Sequence, residues 1–587
     1  MNYRKFKKNL KKEFNDTFED ELIVIEPKKK ERRKLQFKPI FALLMGIIWG
    51  ILIVEHIGIQ IYNSSLKNQT EKMIEKFDGE LVNINEKKNI RSQLNFTKDK
   101  KESILSYIFS LEFIGGMSKD DSLNYPVDSP NGEESIPGNS YETNIQEQGI
   151  DEADTVKCDG KYIYTVMNNA YICVYNLDGH LVSKELSIAS QIYLYNDKII
   201  GISDYKTEIF SFDGNKLKLI DVVKYDNKYH DSRLINNEFF VVTYSYLYEV
   251  LNNKSLDNAY YDNCINPNGV ITMYKYDLDT KELKKVEVIT SFSALLYASE
   301  NNFFIASSNY ANGYYSFISI IDYDLNPVGS VKVEGNILNQ FSMDEHNNYL
   351  RVVSTDTTKA PLNMNQISIF SLETLERVGY LNEGIGLERH TVRSVRYDGD
   401  TCYVVTYMNK DPLYEIDLSD VTNPKIVSIY ESPGYSSYLH TFIINNQKYA
   451  FGIGYDDNSN LKISVYIDNG ETTTQIGRDV VVVREVYEWF NKDNIDFYMV
   501  EYPYLFMASS HKMLFVYNDN NYLYIGGCVG VNQYTIFKID VTQEQRVIDV
   551  YKEYKDNDIV VPYSRGLLIN GKFYVVCQNK LIIEEWN

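Results

Sequence analysis

Residues 159–179, DGKYIYTVMNNAYICVYNLDG, contain the unit from which this chain is built. The unit has a small polar turn, a strand rich in aromatic and β-branched residues, and a second strand that runs into an acidic turn. The nine copies have leading strands that begin at residues 159, 196, 236, 300, 346, 398, 445, 519 and 570. The average spacing is about 51 residues, which leaves room for four strands in each interval. Such self-similarity predicts an all-β fold, a β-propeller.

The number of strand pairs does not by itself give the number of blades. In closed propellers the two chain ends often share one blade, which removes an exposed strand edge. The final pair, NGKFYVVC from Asn570 and LIIEEW from Leu581, would complete the blade that the first pair begins. We therefore predict seven to eight blades over residues 140–587. The two longest intervals, after Asn236 and after Asn445, predict inserted loops.

The charge of the chain is unevenly distributed. The formal net charge is −21, yet residues 1–38 contain more Lys and Arg than Asp and Glu. The rest of the chain is therefore strongly acidic, which argues against nucleic acid as a partner because phosphates require a basic surface. An acidic body suits cations or basic proteins, and it also serves solubility.

One segment has the length and composition of a membrane span. Pro39–Val54 carries no charge, and the apolar character continues to Tyr62. A helix over Ile40–Tyr62 would be about 34 Å long, enough to cross the hydrocarbon core. The 38 residues that precede it are too many for a cleaved signal peptide, so we predict a retained signal anchor over 39–62. The basic flank predicts that residues 1–38 are a cytoplasmic tail and that the propeller lies outside the cell.

Residues 63–139 have a different composition from the segments on either side. Met73, Ile74, Phe77, Leu81 and Ile84 recur at helical spacing, which predicts amphipathic helix in a stalk. Residues 115–139 are rich in Gly, Ser and Pro, which predicts a flexible linker. The sequence thus predicts a single-pass cell-membrane protein with a partly helical stalk below the propeller.

Two blocks of the chain carry a resemblance to a known family. YETNIQEQGIDEADTVKCDGKYIY, Tyr141–Tyr164, resembles the opening signature of the secreted bacterial and archaeal β-propeller-domain family, which is distantly related to WD repeats. Residues Ser394–His440 resemble a second block of the same family. The resemblance covers about residues 140–587 and implies an extracytoplasmic propeller, but no reaction and no catalytic residues. One departure is that Thr441 follows His440, where the family often has Pro.

The motif GIDEAD, residues 149–154, is the first candidate site. It places the carboxylates of Asp151, Glu152 and Asp154 within four residues. Calcium binds several oxygen ligands from a flexible loop, although the spacing here is not that of an Asp-x-Asp-x-Asp-Gly loop. The same side chains could instead accept backbone N–H bonds and hold the chain at its entry into the first blade. We favour this structural role and keep a calcium site as the alternative.

The motif PGYSSYLH, residues 433–440, is the second candidate site. Ser437 and His440 are three residues apart on a predicted strand, so their side chains lie on opposite faces and do not form a nucleophile with its base. No G-x-S-x-G, H-E-x-x-H or P-loop motif occurs elsewhere in the chain. We predict instead that Ser437, Tyr438 and His440 contribute to ligand binding in the central channel.

These observations favour a non-enzymatic binding or scaffold module at the cell envelope. Its ligand would be a protein, a peptide or a cell-wall carbohydrate. The alternative is an envelope hydrolase or lyase that uses carboxylates lining the channel, with calcium as a possible cofactor. Two facing carboxylates with a basic group in the channel would favour the enzyme over the binding module.

Overall fold

The computed structural model describes residues 77–84, except 78, and residues 139–586 with short gaps, the longest of which is 502–510. These residues belong to one compact unit, Leu66–Asn587. The predicted cytoplasmic tail and signal anchor, 1–62, lie outside the described residues, as does most of the predicted stalk and linker. In the part of the chain that is described, no helix is long and apolar enough to cross a membrane.

The propeller consists of nine sheets, which we call blades 1 to 9. The first strand of the chain, β1 (Val82–Asn83), belongs to an extension of blade 3. Blade 1 contains β2 (Val156–Cys158), β3 (Tyr162–Met167), β4 (Tyr171–Asn176) and β5 (Leu181–Leu186). Blade 2 contains β6 (Gln191–Tyr195), β7 (Lys198–Ser203), β8 (Lys206–Phe212) and β9 (Leu217–Lys224). Blade 3 contains β10 (Lys228–Ile235), β11 (Glu238–Tyr246), helix α1 (Leu247–Asn253), β12 (Ala259–Tyr261), β13 (Gly269–Asp277) and β14 (Leu283–Thr290).

Blades 4 to 6 are regular four-stranded antiparallel sheets. Blade 4 contains β15 (Ala294–Ala298), β16 (Asn302–Asn309), β17 (Tyr315–Asp322) and β18 (Pro327–Glu334). Blade 5 follows a short 3-10 helix (Gln340–Ser342) and contains β19 (Met343–His346), β20 (Tyr349–Asp356), β21 (Met364–Ser371) and β22 (Arg377–Leu381). Blade 6 contains β23 (Thr391–Asp398), β24 (Thr401–Tyr407), β25 (Asp411–Asp417) and β26 (Lys425–Ser432).

Blades 7 to 9 complete the propeller. Blade 7 contains β27 (Tyr435–Ile444), β28 (Gln447–Tyr455), β29 (Leu461–Asp468), β30 (Thr473–Gln475) and β31 (Val480–Val482). A separate hairpin of β32 (Glu485–Phe490) and β33 (Asp496–Glu501) follows. Blade 8 begins after a 3-10 helix (His511–Met513) and contains β34 (Phe515–Asn518), β35 (Tyr522–Cys528), β36 (Gln533–Asp540) and β37 (Ile548–Lys555). Blade 9 contains β38 (Arg565–Ile569), β39 (Lys572–Val576) and β40 (Leu581–Glu585).

The repeated sequence unit is the second and third strand of each blade, with the turn before them. The turn joins the first two strands as a tight hairpin, and Asn196, Asn236, Asn445 and Asn570 occupy it with φ between 51° and 53°. Asn tolerates this left-handed conformation, which such hairpins require. In blades 1 to 8 the second and third strands are buried along most of their length, because neighbouring blades cover both faces, whereas β40 of blade 9 is partly exposed. All nine predicted strand pairs are confirmed.

Nine hydrophobic clusters hold the blades together, one between each pair of neighbours in the ring. The last of them joins blade 9 to blade 1, where Leu567 and Tyr574 pack with Ile163 and Cys173. The ring is therefore closed by packing between two complete blades. Our prediction of seven to eight blades was wrong, because the first and last strand pairs belong to separate sheets and do not share one.

Two further strands extend the outer edge of blade 3. One, β12, lies in the loop predicted after Asn236, and the other, β1, lies in the segment predicted to be a stalk. β12 pairs in parallel with β14, and β1 then pairs antiparallel with β12. Val82 and Ile84 pack there against Leu247, Tyr261 and other apolar residues. The amphipathic helix predicted through Leu81 and Ile84 is therefore wrong at this point, since a free sheet edge offered the segment backbone partners.

Candidate functional site

Residues 140–155, which we call the central plug, run along the inner strands of the ring instead of entering a blade. The plug pairs its backbone with three of these strands. Ser140 exchanges two hydrogen bonds with Leu568 of blade 9, Asp151 with Leu234 of blade 3, and Asp154 with Ile192 of blade 2. Backbone groups that would otherwise be unpaired inside the ring are thus satisfied.

Side chains of the central plug reach four further blades. The Asn144 amide donates to the carbonyl of His511 at 3.1 Å and meets the Tyr438 hydroxyl at 3.5 Å. The Gln146 amide donates to two carbonyls beside the start of blade 5, at 3.4 and 3.5 Å. The Tyr297 hydroxyl of blade 4 donates to Glu147 at 2.9 Å. The backbone N–H of Val166 in blade 1 also donates to the carbonyl of Thr155, so the plug contacts eight of the nine blades.

Each carboxylate of the GIDEAD motif pairs with its own base. Asp151 meets Lys157 at 2.5 Å, and Asp154 forms a two-pronged contact with Arg565 at 2.6 to 3.2 Å. Glu152 is fully enclosed and accepts from the ring of His511 at 3.0 Å and from the Lys512 amine at 3.1 Å. Burial alone would raise the pKa of Glu152, but His511, Lys512 and Arg233 hold it well below its usual range.

This arrangement bears on the calcium prediction for Asp151, Glu152 and Asp154. A cation site needs oxygen ligands that converge and are not already neutralised. Here the three carboxylates are directed to separate bases, and among the described residues no group of three or more His, Cys, Asp or Glu side chains could hold a metal. Calcium binding by these residues stays a prediction. The structural role that we predicted for them stays a prediction as well.

Glu147 has a different electrostatic environment. Burial and the neighbouring carboxylates of Asp344 and Glu345 raise its pKa to about 8, against the lowering effects of Tyr297 and Arg396. Glu147, Asp344 and Arg396 line a cavity of about 10 Å³. Glu147, Asp344 and Arg396 are the two carboxylates and the basic group that would favour an enzyme. However, Asp344 is paired with Arg351 at 2.5 Å. The cavity is also too small to hold more than one water molecule.

A much larger cavity, of about 640 Å³, lies between the central plug and blades 7 to 9. Its wall combines plug residues 139–145 with the inner strands β27, β34 and β38 and the 3-10 helix before β34. The volume is typical of small-molecule sites. The side chains of the plug and the inner strands thus leave a sizeable space next to blades 7 to 9.

Of the three candidates in the PGYSSYLH motif, His440 belongs to the wall of this cavity, whereas Ser437 and Tyr438 do not. His440 lines it, and its Nδ1 meets the hydroxyl of the buried Tyr438 at 3.1 Å. Burial and the nearby Arg396 lower the pKa of His440 to about 3, so its ring is neutral. Ser437 occupies a bulge in β27, and its hydroxyl donates to the carbonyl of Ile453 at 3.4 Å.

Sequence reasoning missed the bases and the plug itself. Lys512, Arg565, His511 and Arg233 come from three different blades, and no sequence motif typical of a binding or catalytic site contains them. The available signal was the block Tyr141–Tyr164, whose first half has neither the strand pattern nor the turn residues of the repeat. A polar segment that precedes the apolar strands of a predicted propeller is a candidate to fill the centre of the ring.

Comparison with known proteins agrees with this architecture. A family model described as a beta propeller domain matches residues 140–587. An uncharacterized protein of Methanocaldococcus jannaschii is 27% identical over 514 residues, which cover 70% of this chain and 79% of the relative. An uncharacterized protein of Archaeoglobus fulgidus is 25% identical over 495 residues, or 65% of this chain and 78% of the relative.

Solved structures show only a distant likeness. The crystal structure of a eukaryotic initiation factor has a TM-score of 0.38 and 12% identity, covering 73% of this chain and 93% of that chain. Hsv2 of Kluyveromyces lactis has a TM-score of 0.31 and 10% identity, covering 68% and 96%.

The first prediction concerns the Asp154–Arg565 pair, which links the entry to blade 1 with blade 9. Arg565→Met should lower the free energy of unfolding by about 3 to 5 kcal/mol, because it leaves the charge of the buried Asp154 carboxylate without its cation. Adding Asp154→Asn should restore part of the loss. Lys552→Met, which breaks a more exposed pair with Glu584, is the control and should cost at most about 1 kcal/mol. Equal losses in urea titrations of the two single variants would contradict the prediction.

The second prediction concerns pH. The pKa of Glu147 is raised in the folded chain to about 8, so its stabilising contribution is fully present below its ordinary pKa and is lost as the pH rises towards 8. Each pH unit in that window costs the folded state about 1.4 kcal/mol. Glu147→Gln should therefore raise the melting temperature, by an amount that grows between about pH 5 and pH 8. Glu142→Gln, an exposed position of the plug, is the control. A gain that is independent of pH would count against this assignment.

Proposed function

We propose that this chain, which belongs to the beta propeller domain family, is a non-enzymatic binding module whose ligand occupies the cavity of about 640 Å³ beside the central plug. The observation that carries the proposal is the cavity itself. The plug touches blades 7 to 9 through Ser140 and Asn144, and beside these contacts it leaves a site lined by polar and aromatic side chains. Concave sites with a few polar groups in such a wall are typical of ligand binding.

The hydrolase or lyase alternative finds less support. A glycoside hydrolase needs two carboxyl groups several ångströms apart on either side of a substrate. Glu147 and Asp344 have the required chemistry, but the space between them is about 10 Å³, which no sugar ring can enter. In the large cavity, Asp154 is bound by Arg565 and Glu142 is the remaining carboxylate. These contacts suit recognition better than bond cleavage.

The proposal includes the place where the module acts. The charge-free run Pro39–Val54 and its basic flank support a single-pass anchor with the propeller outside the cell. The ligand would then belong to the cell envelope, as a protein, a peptide or a cell-wall carbohydrate. β1 shows that residues before the propeller take part in its fold, so a soluble version should keep the whole unit from Leu66.

The third prediction tests the cavity. Thr143 lines it from the plug, so Thr143→Trp should fill the space and abolish retention of the envelope component that the wild-type chain binds. Thr374→Trp, on an exposed turn of blade 5, is the matched control and should bind like wild type. Separated protein and polysaccharide fractions of envelope material would be passed over the three immobilised full-length proteins. Equal retention by both variants would contradict the site, and release of new reducing ends would favour the hydrolase.

The fourth prediction tests the topology. A protease added to intact cells should cut the chain after residue 62 and leave residues 1–38 whole, because the anchor places them on opposite sides of the membrane. Antibodies to the two termini would report the fragments, and lysed cells would show loss of the tail as well. Cleavage of the tail in intact cells, with the rest protected, would overturn the topology.

A further inference from the structure

Two cations stand on the wall of the 640 Å³ cavity, and both are neutralised by carboxylates of the plug. Lys512 and Arg565 line it, and each is already paired with a buried carboxylate, Glu152 at 3.1 Å and Asp154 at 2.6 Å. These carboxylates belong to the plug, so the pairs are part of the fold. An anionic ligand such as a phosphate or an acidic sugar would have to compete with them for the same cations.

The remaining polar groups of the wall carry no charge, apart from Glu142, whose side chain is exposed. His440 is neutral, because burial and Arg396 lower its pKa to about 3. Its Nδ1 is engaged by Tyr438, which leaves Nε2 as the ring nitrogen available to a molecule in the cavity. Hydroxyl and amide groups of the plug stand beside it; they belong to Ser140, Thr143, Asn144 and Gln148.

Aromatic side chains supply the apolar part of the wall. Tyr141, Phe442, Phe515 and Tyr517 line the cavity, and they come from the plug and from blades 7 and 8. Aromatic rings offer large apolar contacts without mobile side chains. The wall thus combines aromatic surface with neutral hydrogen-bonding groups, and both kinds of group surround the same space.

We infer that the cavity binds an uncharged oligosaccharide segment; this rests on the proposed function and names its ligand class. A neutral sugar matches the wall in both respects. Its C–H faces pack on aromatic rings, and its hydroxyls both donate and accept, as His440 Nε2 and the plug amides require. An extended peptide fits less well, because it would need a strand edge with which to pair. Ser140 already pairs with the edge of β38, and its hydroxyl donates to the carbonyl of Val516 in β34.

The test is calorimetric titration of the purified full-length chain with neutral tetrasaccharides of glucose, N-acetylglucosamine, mannose and galactose. A uronic acid tetramer and an uncharged Gly/Ser peptide are the comparison probes. At least one neutral sugar should bind, with an affinity that is unchanged between about 50 and 500 mM salt, because no ion pair forms. The affinity should also be flat between about pH 5.5 and 8, because the His440 ring stays neutral.

His440→Phe is the decisive variant. It keeps a ring against Phe451, whose centroid lies 5.0 Å away, and removes only the nitrogens. The neutral sugar should bind at least about tenfold more weakly, a loss of about 1.4 kcal/mol, and unchanged circular dichroism would show that the fold is kept. Thr143→Trp should abolish binding, and Thr374→Trp should leave it unaltered.

The outcomes separate this inference from the function on which it rests. Salt-sensitive binding of the uronic acid, or binding of the peptide alone, would overturn the sugar assignment and leave a binding cavity. The same holds if no probe binds while Thr143→Trp still prevents retention of envelope material. Failure of every probe together with equal retention by Thr143→Trp would overturn both.

Discussion

A ring of nine blades has a wide centre, and the need to fill it governs the rest of this structure. Each added blade moves the first strands farther from the axis, and the inner edge of each carries backbone groups that require partners. The plug, residues 140–155, meets this need by pairing with three inner strands and by reaching four other blades through side chains. Because one chain segment cannot fill the whole centre, a cavity is left beside blades 7 to 9.

The charges at the centre follow from the same constraint. A polar plug brings Glu152 and Asp154 into a place with little water, where an unpaired carboxylate is very costly, and leaves Asp151 partly exposed. Each of them therefore meets a cation, and these cations come from blades 1, 8 and 9. The Asp154–Arg565 pair connects the plug, just before blade 1, with blade 9. It therefore stabilises the same junction as the hydrophobic cluster between blades 9 and 1.

These pairs also shape the chemistry that the cavity can perform. Carboxylates that are paired with Lys or Arg side chains are poor catalytic acids, bases and nucleophiles. Such pairs instead fix the positions of the side chains that form the cavity wall. His440 is similarly removed from acid–base chemistry near neutral pH, because burial and Arg396 keep its ring neutral. A rigid, neutral wall of this kind suits the recognition of a neutral polar ligand, which is the function that we propose.

The sequence by itself determined the strands, and the tertiary structure decided how they close. Alternation of asparagine turns with aromatic and β-branched strands is local chemistry, so all nine strand pairs were predictable. Whether the ends share a blade depends on packing between residues about 400 apart, such as Ile163 and Leu567, and the sequence alone led to too few blades. His440 was named as a ligand candidate from its motif, but Lys512 and Arg565 of the same cavity wall were not, because only the plug's path through the ring brings them together. Strand and turn propensities depend on short segments, whereas the cavity is formed by segments that are far apart in the sequence.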